Sequence, residues 1–572
     1  MLDLLIRGGE VIDGTGKKGF TADVGVQGDR IVEVGRVSGE DAAKTIEADG
    51  KKVCPGFIDI HSHNDLYVIR NDYKQLFEPY LRQGMTTCVS NNCGWSVAPW
   101  PVQQSDLMST TIRSMGIPKD VEHPWETQRE FLTYLKGRGL PMNFVPLAGH
   151  GPIRIAVMGD AARFSTGDEL ASMKRLVKEG MEAGCRGFST GLTYFPGMFA
   201  HTDEIVELAK VANEYGGRYA THVRGQCGTY DLAVKEAIDI ASRSGCPLQL
   251  SHVFAVPYLG RLADFLVGMM GAFEAINRVV PLPGIPNPVL KKAIRQVDQA
   301  LENGVEIGMD FIPYVMGNST ITQLYPPWVN VGGTDALLGR LRDPAERSKI
   351  RKTVETLKPR WPHWEEGSWS DNYVKALGWK MLRILSVGSE KNRPVEGKRV
   401  VDLAQEAGKD PFDYLADLTI EEDGMVTFLF GTPPRPWSEK VFTKVQDHPQ
   451  LSIGADVLFP EVGMPPQSAY GTFVRIIEHY VKELKFYTLE DAIHRSTGLS
   501  ASRYGLDDRG VIKPGAAADI VVFDFENIHD NSTYDEPEQY PDGIEHVIVN
   551  GRTVVDRGAY DPEALAGQLL EK

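Results

Sequence analysis

A chain of 572 residues exceeds the roughly 100 to 200 residues of a typical domain, so several lobes or one unusually large unit are expected. Hydrophobic residues at 42% and charged residues at 24% match a globular protein with a sizeable core and exclude disorder as the main state. With 61 Lys and Arg against 77 Asp and Glu, a net charge of −16, the bulk field opposes nucleic acid or an anionic membrane as the main partner; a small or neutral ligand fits better.

No run of about 18 apolar residues is present, and the most apolar stretch, Leu262 to Val289, is interrupted by Asp264, Glu274, Arg278 and four prolines. The opening Met1 to Gly9 carries Asp3 and too short an apolar run for a secretory signal. The cytoplasm is therefore the expected location. Six cysteines in so long a chain are too sparse for a disulfide scaffold and read as thiols, packing residues or metal ligands.

From the start, short β-prone runs alternate with turn signals: Leu4–Ile6, Gly8-Gly9, Val11-Ile12, Asp23–Val26, Gly28-Asp29 and Ile31–Val34. The end of the chain repeats this, with Ala518–Phe523 as a buried strand and His546–Val549 joined through Asn550-Gly551 to Thr553–Val555 as a type I′ hairpin. The economical arrangement is one β-sandwich built from 1–57 and 508–572 with an α/β body, 58–507, inserted between them. Inside the body, helices are expected at Gly167–Gly184, Thr202–Glu214, Tyr230–Ser242 and Val289–Asn303. Strands are expected at Arg186–Thr190, Tyr219–Val223, Pro247–Val253 and Val305–Ile312. Repeated β-α units without antiparallel turn chemistry point to a parallel sheet, and a closed (β/α)8 barrel is the first choice. A doubly wound open sheet is the alternative, but no GxGxxG or phosphate-binding loop follows the first of these strands. The stretch at about 326–423, rich in Trp, Pro and charge, breaks the rhythm and reads as an excursion above the barrel.

Gly56-Phe-Ile-Asp-Ile-His61-Ser-His63 places two histidines two apart directly after an apolar strand, where side chains at i and i+2 share a face and can converge on one metal. His222 ends the run Tyr219–His222, and His252 ends Leu248–His252. A lone histidine in such a place is ordinarily a satisfied core residue. Four of only 13 histidines, all at the carboxyl ends of strands where barrel active sites are built, favour a metal site. An anionic partner is offered by Gly84-Met-Thr-Thr-Cys88-Val-Ser-Asn-Asn-Cys93-Gly94. Cys93 lies at the loop end, Cys88 lies inside the strand as packing, and zinc matches a mixed sulfur and nitrogen set. Zinc acidifies water to a pKa near 7, and something must carry that proton to a leaving nitrogen. Asp456, following the apolar run Leu451–Ile453, could do so or could simply close a turn.

These segments, together with Gly149-His-Gly-Pro-Ile-Arg154, Gly191-Leu-Thr-Tyr-Phe-Pro196, Thr221-His-Val-Arg224, Ser251-His252, Tyr470-Gly-Thr-Phe473 and Gly510-Val-Ile-Lys-Pro-Gly515, appear in order. The chain resembles the amidohydrolase superfamily and, within it, the D-aminoacylase (N-acyl-D-amino-acid deacylase) family, over nearly its whole length and most loosely between about 320 and 450. The resemblance implies a barrel with a β-sandwich. It also implies a Cys93 thiolate, where most relatives use a carboxylated lysine, that can bridge two zinc positions: one tight, completed by His222 and His252, and one weaker, with His61 and His63. Asp456 becomes the general acid/base, and Tyr194, Phe254, Tyr314, Ser319 and Ser468 are the expected substrate contacts.

Two departures bear on the substrate. Where the family commonly carries an arginine for a free carboxylate, this chain has Ser468, so a bidentate clamp is missing. Polar positions have become Ile312, Val253 and Phe254. A linear N-acyl amide, bulkier or less charged than a simple N-acyl-D-amino acid, is expected. Either Arg224 or Arg435 could restore the clamp. A cyclic-amide hydrolase of the hydantoinase kind and a non-catalytic scaffold of the same fold are the alternatives, and a homo-oligomer is left open.

Overall fold

A computed structural model of the chain describes residues 1–37, 42–117, 121–260, 287–365, 367–431 and 443–572, with a few isolated positions between 265 and 277. Strands β1 (Leu2–Val11), β2 (Phe20–Gln27), β3 (Arg30–Gly35), β4 (Ala42–Glu47) and β5 (Lys52–Pro55) open the chain; β6 (Phe57–Asp59), β7 (Met85–Val89), β8 (Asn143–Val145), β9 (Ala148–Gly149), β10 (Gly187–Gly191), β11 (Arg218–His222), β12 (Leu248–Leu250) and β13 (Ile307–Phe311) follow. Then come β14 (Gly317–Thr320), β15 (Leu382–Val387), β16 (Val426–Phe430), β17 (Leu451–Ile453), β18 (Ile520–Phe523), β19 (Ile544–Val549), β20 (Arg552–Asp556) and β21 (Ala559–Tyr560).

The two ends of the chain make one structure. Nine strands link in the order β21-β20-β19-β18-β5-β1-β2-β3, with β4 branching off β1. Alternation brings Leu4, Ile6, Val24 and Val26 from one end against Ile520, Val522 and Ile548 from the other in a shared apolar interior. Asn550 and Gly551, at φ 47° and 80°, make the turn between β19 and β20 that their sequence predicts.

Between these ends the strands run parallel. β17-β13-β12-β11-β10-β9 form one ladder and β6-β7-β8 another. β8 and β9 are two halves of one strand broken at Pro146-Leu147, and Arg186 N donates to Pro146 O at 2.8 Å across the break. On the far side Ile60 N meets Ile453 O at 3.5 Å and Asp456 N donates to His61 O at 3.0 Å. The strands thus succeed one another in sequence order around a closed barrel, the arrangement expected of (β/α)8 proteins. Ile58, Ile60, Val89, Val145 and Leu147 from the strands pack with Tyr504 and Leu506 into a core that fills the barrel.

The helices sit where the apolar spacing places them. In Gly167–Ala183 the buried residues are Met173, Val177, Gly180, Met181 and Ala183. Thr166 and Glu169 form a reciprocal capping box at its start, and Gly184, at φ 116°, ends it. The excursion expected at about 326–423 belongs to a wider unit, because β14 and β16 carry it from Gly317 to Phe430 as an antiparallel sheet in the order β14-β16-β15. Its own apolar core includes Leu324, Leu338, Trp369, Tyr373 and Phe428. Among the described residues no helix is long and apolar enough to cross a membrane. Most of the apolar stretch 262–289 lies outside the described residues.

Candidate metal centre and its cavity

The histidines, the cysteine and the aspartate singled out above meet at the carboxyl end of the barrel. His61 and His63 follow β6, Cys93 follows β7, His222 closes β11, His252 stands just past β12, and Asp456 stands just past β17. Several are held in left-handed backbone conformations that ordinary residues avoid: Asn91, Cys93, His252 and Asp456 have φ of 65°, 54°, 32° and 48°. Half of the eight positive-φ non-glycine residues described are in this one place. Such strain persists only where surrounding structure enforces it, and it concentrates at functional sites. Two glycines make the Cys93 turn feasible. A Cβ on Gly191 would sit 2.0 Å from Cys93 O, and one on Gly94, itself at φ 67°, would sit 2.7 Å from Gly191 N.

Cys93 Sγ lies 3.3 Å from His61 Nε2 and 3.7 Å from both His222 Nδ1 and His252 Nε2. Asp456 Oδ1 lies 3.2 Å from His63 Nε2 and 3.5 Å from His61 Nε2. All but Asp456 are essentially buried. Burial alone would push the Cys93 thiol up, but His61 and the contacting rings of His222 and His252 hold it well below its ordinary value. Burial likewise opposes a charged Asp456, yet His61 and His63 bring it down to about 2. Against its own burial, His63 is pushed up to about 9 by Asp456 and Cys93. His222 goes the other way, to about 4, through burial and its neighbour His252. Thiol and carboxyl are thus both biased toward their anionic forms among surrounding imidazoles, a donor set that suits a divalent cation.

A second ring of residues fixes these groups. Asp310 Oδ1 accepts from His252 N at 2.6 Å and Oδ2 from Gln249 Nε2 at 2.8 Å. Asp59 Oδ1 accepts from the backbone of His61 and Ala455 at 3.0 and 2.9 Å. The Gln226 carboxamide meets His252 Nδ1 at 3.0 Å and Tyr373 OH at 3.2 Å. Asp371 accepts from Gln226 N, Cys227 N and Thr193 Oγ1. Tyr373 and Asp371 come from the excursion, so that unit reaches down to the metal-facing side of the barrel. Sequence reasoning missed all of these supports. Only Asp310, an acid inside an otherwise apolar strand at the right end of the barrel, left a readable signal.

Tyr194, Phe254, Tyr314, Ser319 and Ser468 all line one cavity together with His222, His252 and Asp456. Tyr194 OH is 3.3 Å from His222 Nδ1, and Phe254 packs on Phe430 with ring centroids 5.4 Å apart. Phe311, Ile312, Leu429 and Phe430 make the cavity partly apolar, and no Lys or Arg is among the described residues that line it. Arg224 does not restore a clamp. It is fully buried, paired with Glu236 at 3.0 Å, bonded to the carbonyls of Met198 and Ala200, and stacked on Trp364. The other candidate, Arg435, lies outside the described residues.

The separations between the Cys93 sulfur and the histidine nitrogens fit zinc. With Zn–S of about 2.3 Å, Zn–N of about 2.05 Å and tetrahedral angles, ligand sulfur and nitrogen stand about 3.6 Å apart. The observed 3.3 to 3.7 Å brackets that value. Among the described residues two three-residue groups have mutually close ligand atoms and share His61, namely His61, Cys93 and His252, and His61, His63 and Asp456; His222, expected in the tight set, is in neither.

The sequence profile of the amidohydrolase family matches residues 44–347 and 371–555. A D-aminoacylase of Alcaligenes xylosoxydans xylosoxydans is 29% identical over all of this chain and 98% of its own length. An N-acyl-D-glutamate deacylase of the same organism is 30% identical over all of this chain and 97% of its own length. The crystal structure of N-acyl-D-glutamate deacylase from Bordetella bronchiseptica, complexed with zinc and a phosphonate inhibitor, superposes with a TM-score of 0.75 at 28% identity over the whole of both chains. An L-hydantoinase from Arthrobacter aurescens shares the fold alone, at a TM-score of 0.54 and 14% identity. This chain belongs to the amidohydrolase family.

Proposed function

We propose that the chain is a zinc-dependent hydrolase of linear amides, acting on N-acylated amino acids or close analogues. The observation that carries this is the clustering of one thiolate and three imidazole nitrogens at zinc-ligand separations, with the Asp456 carboxylate alongside. Its support is the full-length similarity to enzymes named for removing acyl groups from D-amino acids. Cys93, His222 and His252 would hold the tight metal position; Cys93, His61 and His63 would hold a weaker one. Zinc, when bound there, supplies Lewis-acid polarisation of the amide carbonyl and acidification of water.

The remaining work falls to the chain's own groups. Asp456, ionised and partly open to the cavity, takes the proton of the attacking water at its carboxylate and returns it to the departing nitrogen. Tyr194, whose hydroxyl stands beside His222, lies where it can donate to an oxygen on which charge develops. Gln226 and Asp310 hold His252 in place. Phe254, Tyr314, Ser319 and Ser468 shape the space for the amine and acyl parts. The six cysteines are buried and unpaired, which suits a reducing compartment and supports a cytoplasmic setting.

The test is a panel of N-acyl amino acids in both configurations, uncharged N-acyl amides and hydantoins, offered to the zinc-loaded enzyme. Release of the acyl acid from linear members is expected. Ring opening of hydantoins without linear-amide hydrolysis would favour the cyclic-amide alternative. A protein that holds no zinc and turns over nothing would be a scaffold.

A further inference from the structure

The cavity beside the metal centre has a polar end whose hydrogen-bonding sense is set by the protein. Gln467 and Ser468 line it, and their exposures are only 8% and 3%. Gln467 Nε2 donates to the Ser532 carbonyl at 2.6 Å. A carbonyl can only accept, so the orientation of that carboxamide is fixed and its oxygen is the atom left over. Gln467 Oε1 and Ser468 Oγ are both buried without a protein hydrogen-bond partner. The first is an obligate acceptor and the second a hydroxyl that can give or take. Gln323, from the excursion, adds an unpartnered nitrogen.

A ligand carboxylate brings only acceptors to such a place and would face the fixed Gln467 oxygen with no cation among the described lining residues. A carboxamide complements it. Its N–H groups suit the Gln467 oxygen, and its C=O suits the Ser468 hydroxyl. We propose that the Gln467–Ser468 end of the cavity recognises a neutral N–H-bearing amide, so that the substrates are N-acyl-amino-acid amides or N-acyl peptides rather than N-acyl amino acids with a free carboxylate. This rests on the amidohydrolase reading of the metal centre and names the class of substrate that centre receives.

The experiment measures kcat/KM for acyl release by the zinc-loaded full-length enzyme. Its substrates are N-acetyl-leucine, its methyl ester and its primary amide, each as both enantiomers, with acetate quantified as product. A buried acceptor left unpaired corresponds to a loss of about 10- to 100-fold, and the amide should exceed the free acid by that factor. The ester, neutral but without an N–H, should fall between them. Gln467→Leu, checked for zinc content and circular dichroism, should bring amide and ester together; Ser468→Arg should raise the free acid relative to the amide. Preference for the free acid, or equal turnover of amide and ester by the unaltered enzyme, overturns the inference and leaves the amidohydrolase reading standing. No acetate from any of the three overturns both.

Discussion

Replacing Asp456 by Asn removes one charge while leaving the backbone undisturbed. Asp456 sits at φ 48°, and Asn is one of the few side chains that accepts that conformation. Its N–H bond to His61 O at 3.0 Å does not involve the carboxylate. The side chain itself lies 3.2 Å from His63 Nε2 and 3.5 Å from His61 Nε2, with its pKa held down at about 2. It is therefore ionised at any pH at which the enzyme would be assayed, and an amide in its place offers no base. Loss of a general acid–base group lowers the rate by roughly 10²- to 10⁴-fold, or about 3 to 5.5 kcal/mol of barrier. We expect kcat to fall by that factor while zinc content stays within a few-fold of wild type. Turnover and elemental analysis on the same preparation test this. A variant with full zinc and near wild-type kcat would refute the proton-shuttle role and shift it to another group.

Two further outcomes follow from the supports of the site. For His252 to ligate through Nε2, its Nδ1 must carry the ring proton and donate it, so Gln226 must present its oxygen there and its nitrogen to Tyr373 OH; Gln226→Leu should weaken zinc binding by about 10- to 100-fold in a chelator competition, Gln226→Glu should not, and unchanged affinity in the leucine variant would remove the residue from the support of His252. Away from the centre, Glu204 bridges buried His150 and Arg154 at 2.9 and 2.6 Å, and Glu204→Gln, by stranding the arginine, should destabilise the fold by about 3 to 5 kcal/mol near neutral pH. Burial would raise the Glu204 pKa, but His150 and Arg154 bring it down to about 2. Its stabilisation is therefore present above the ordinary carboxylate pKa and lost as pH falls toward 2, so the gap between variant and wild type in a urea titration should narrow with acidification. A gap that widens below pH 4.3, the ordinary glutamate value, would contradict the assignment.

The parts of the fold readable in advance were those with a short-range signature. Helix Thr202–Glu214 has the bounds that its apolar spacing and the following glycines indicate, and the Asn550-Gly551 turn announces itself in two residues. His61 and His63, His222, His252 and Cys93 stood out because each ends an apolar run, and the ends of parallel strands converge on one mouth. What was not readable depends on distant packing. β15 and β16 are short, buried throughout most of their length and joined to β14, and such apolar runs lack the periodicity that separates strand from helix. Asp371 reaches Gln226 across 145 residues, and nothing in its local sequence marks it. Arg224 illustrates the reverse error: its place beside His222 suggests a substrate clamp, but Glu236 and two carbonyls consume its donors.

Zinc content in matched wild-type and Cys93→Ala protein tests the account most directly. The Cys93 sulfur lies 3.3 to 3.7 Å from three imidazole nitrogens and would be the anionic ligand of the proposed centre. Wild type, dialysed after zinc loading, should retain stoichiometric metal and hydrolyse linear N-acyl amides; Cys93→Ala should lose both while its circular dichroism stays unchanged. Full zinc and full activity in Cys93→Ala would contradict the account and leave the centre built on the histidines alone.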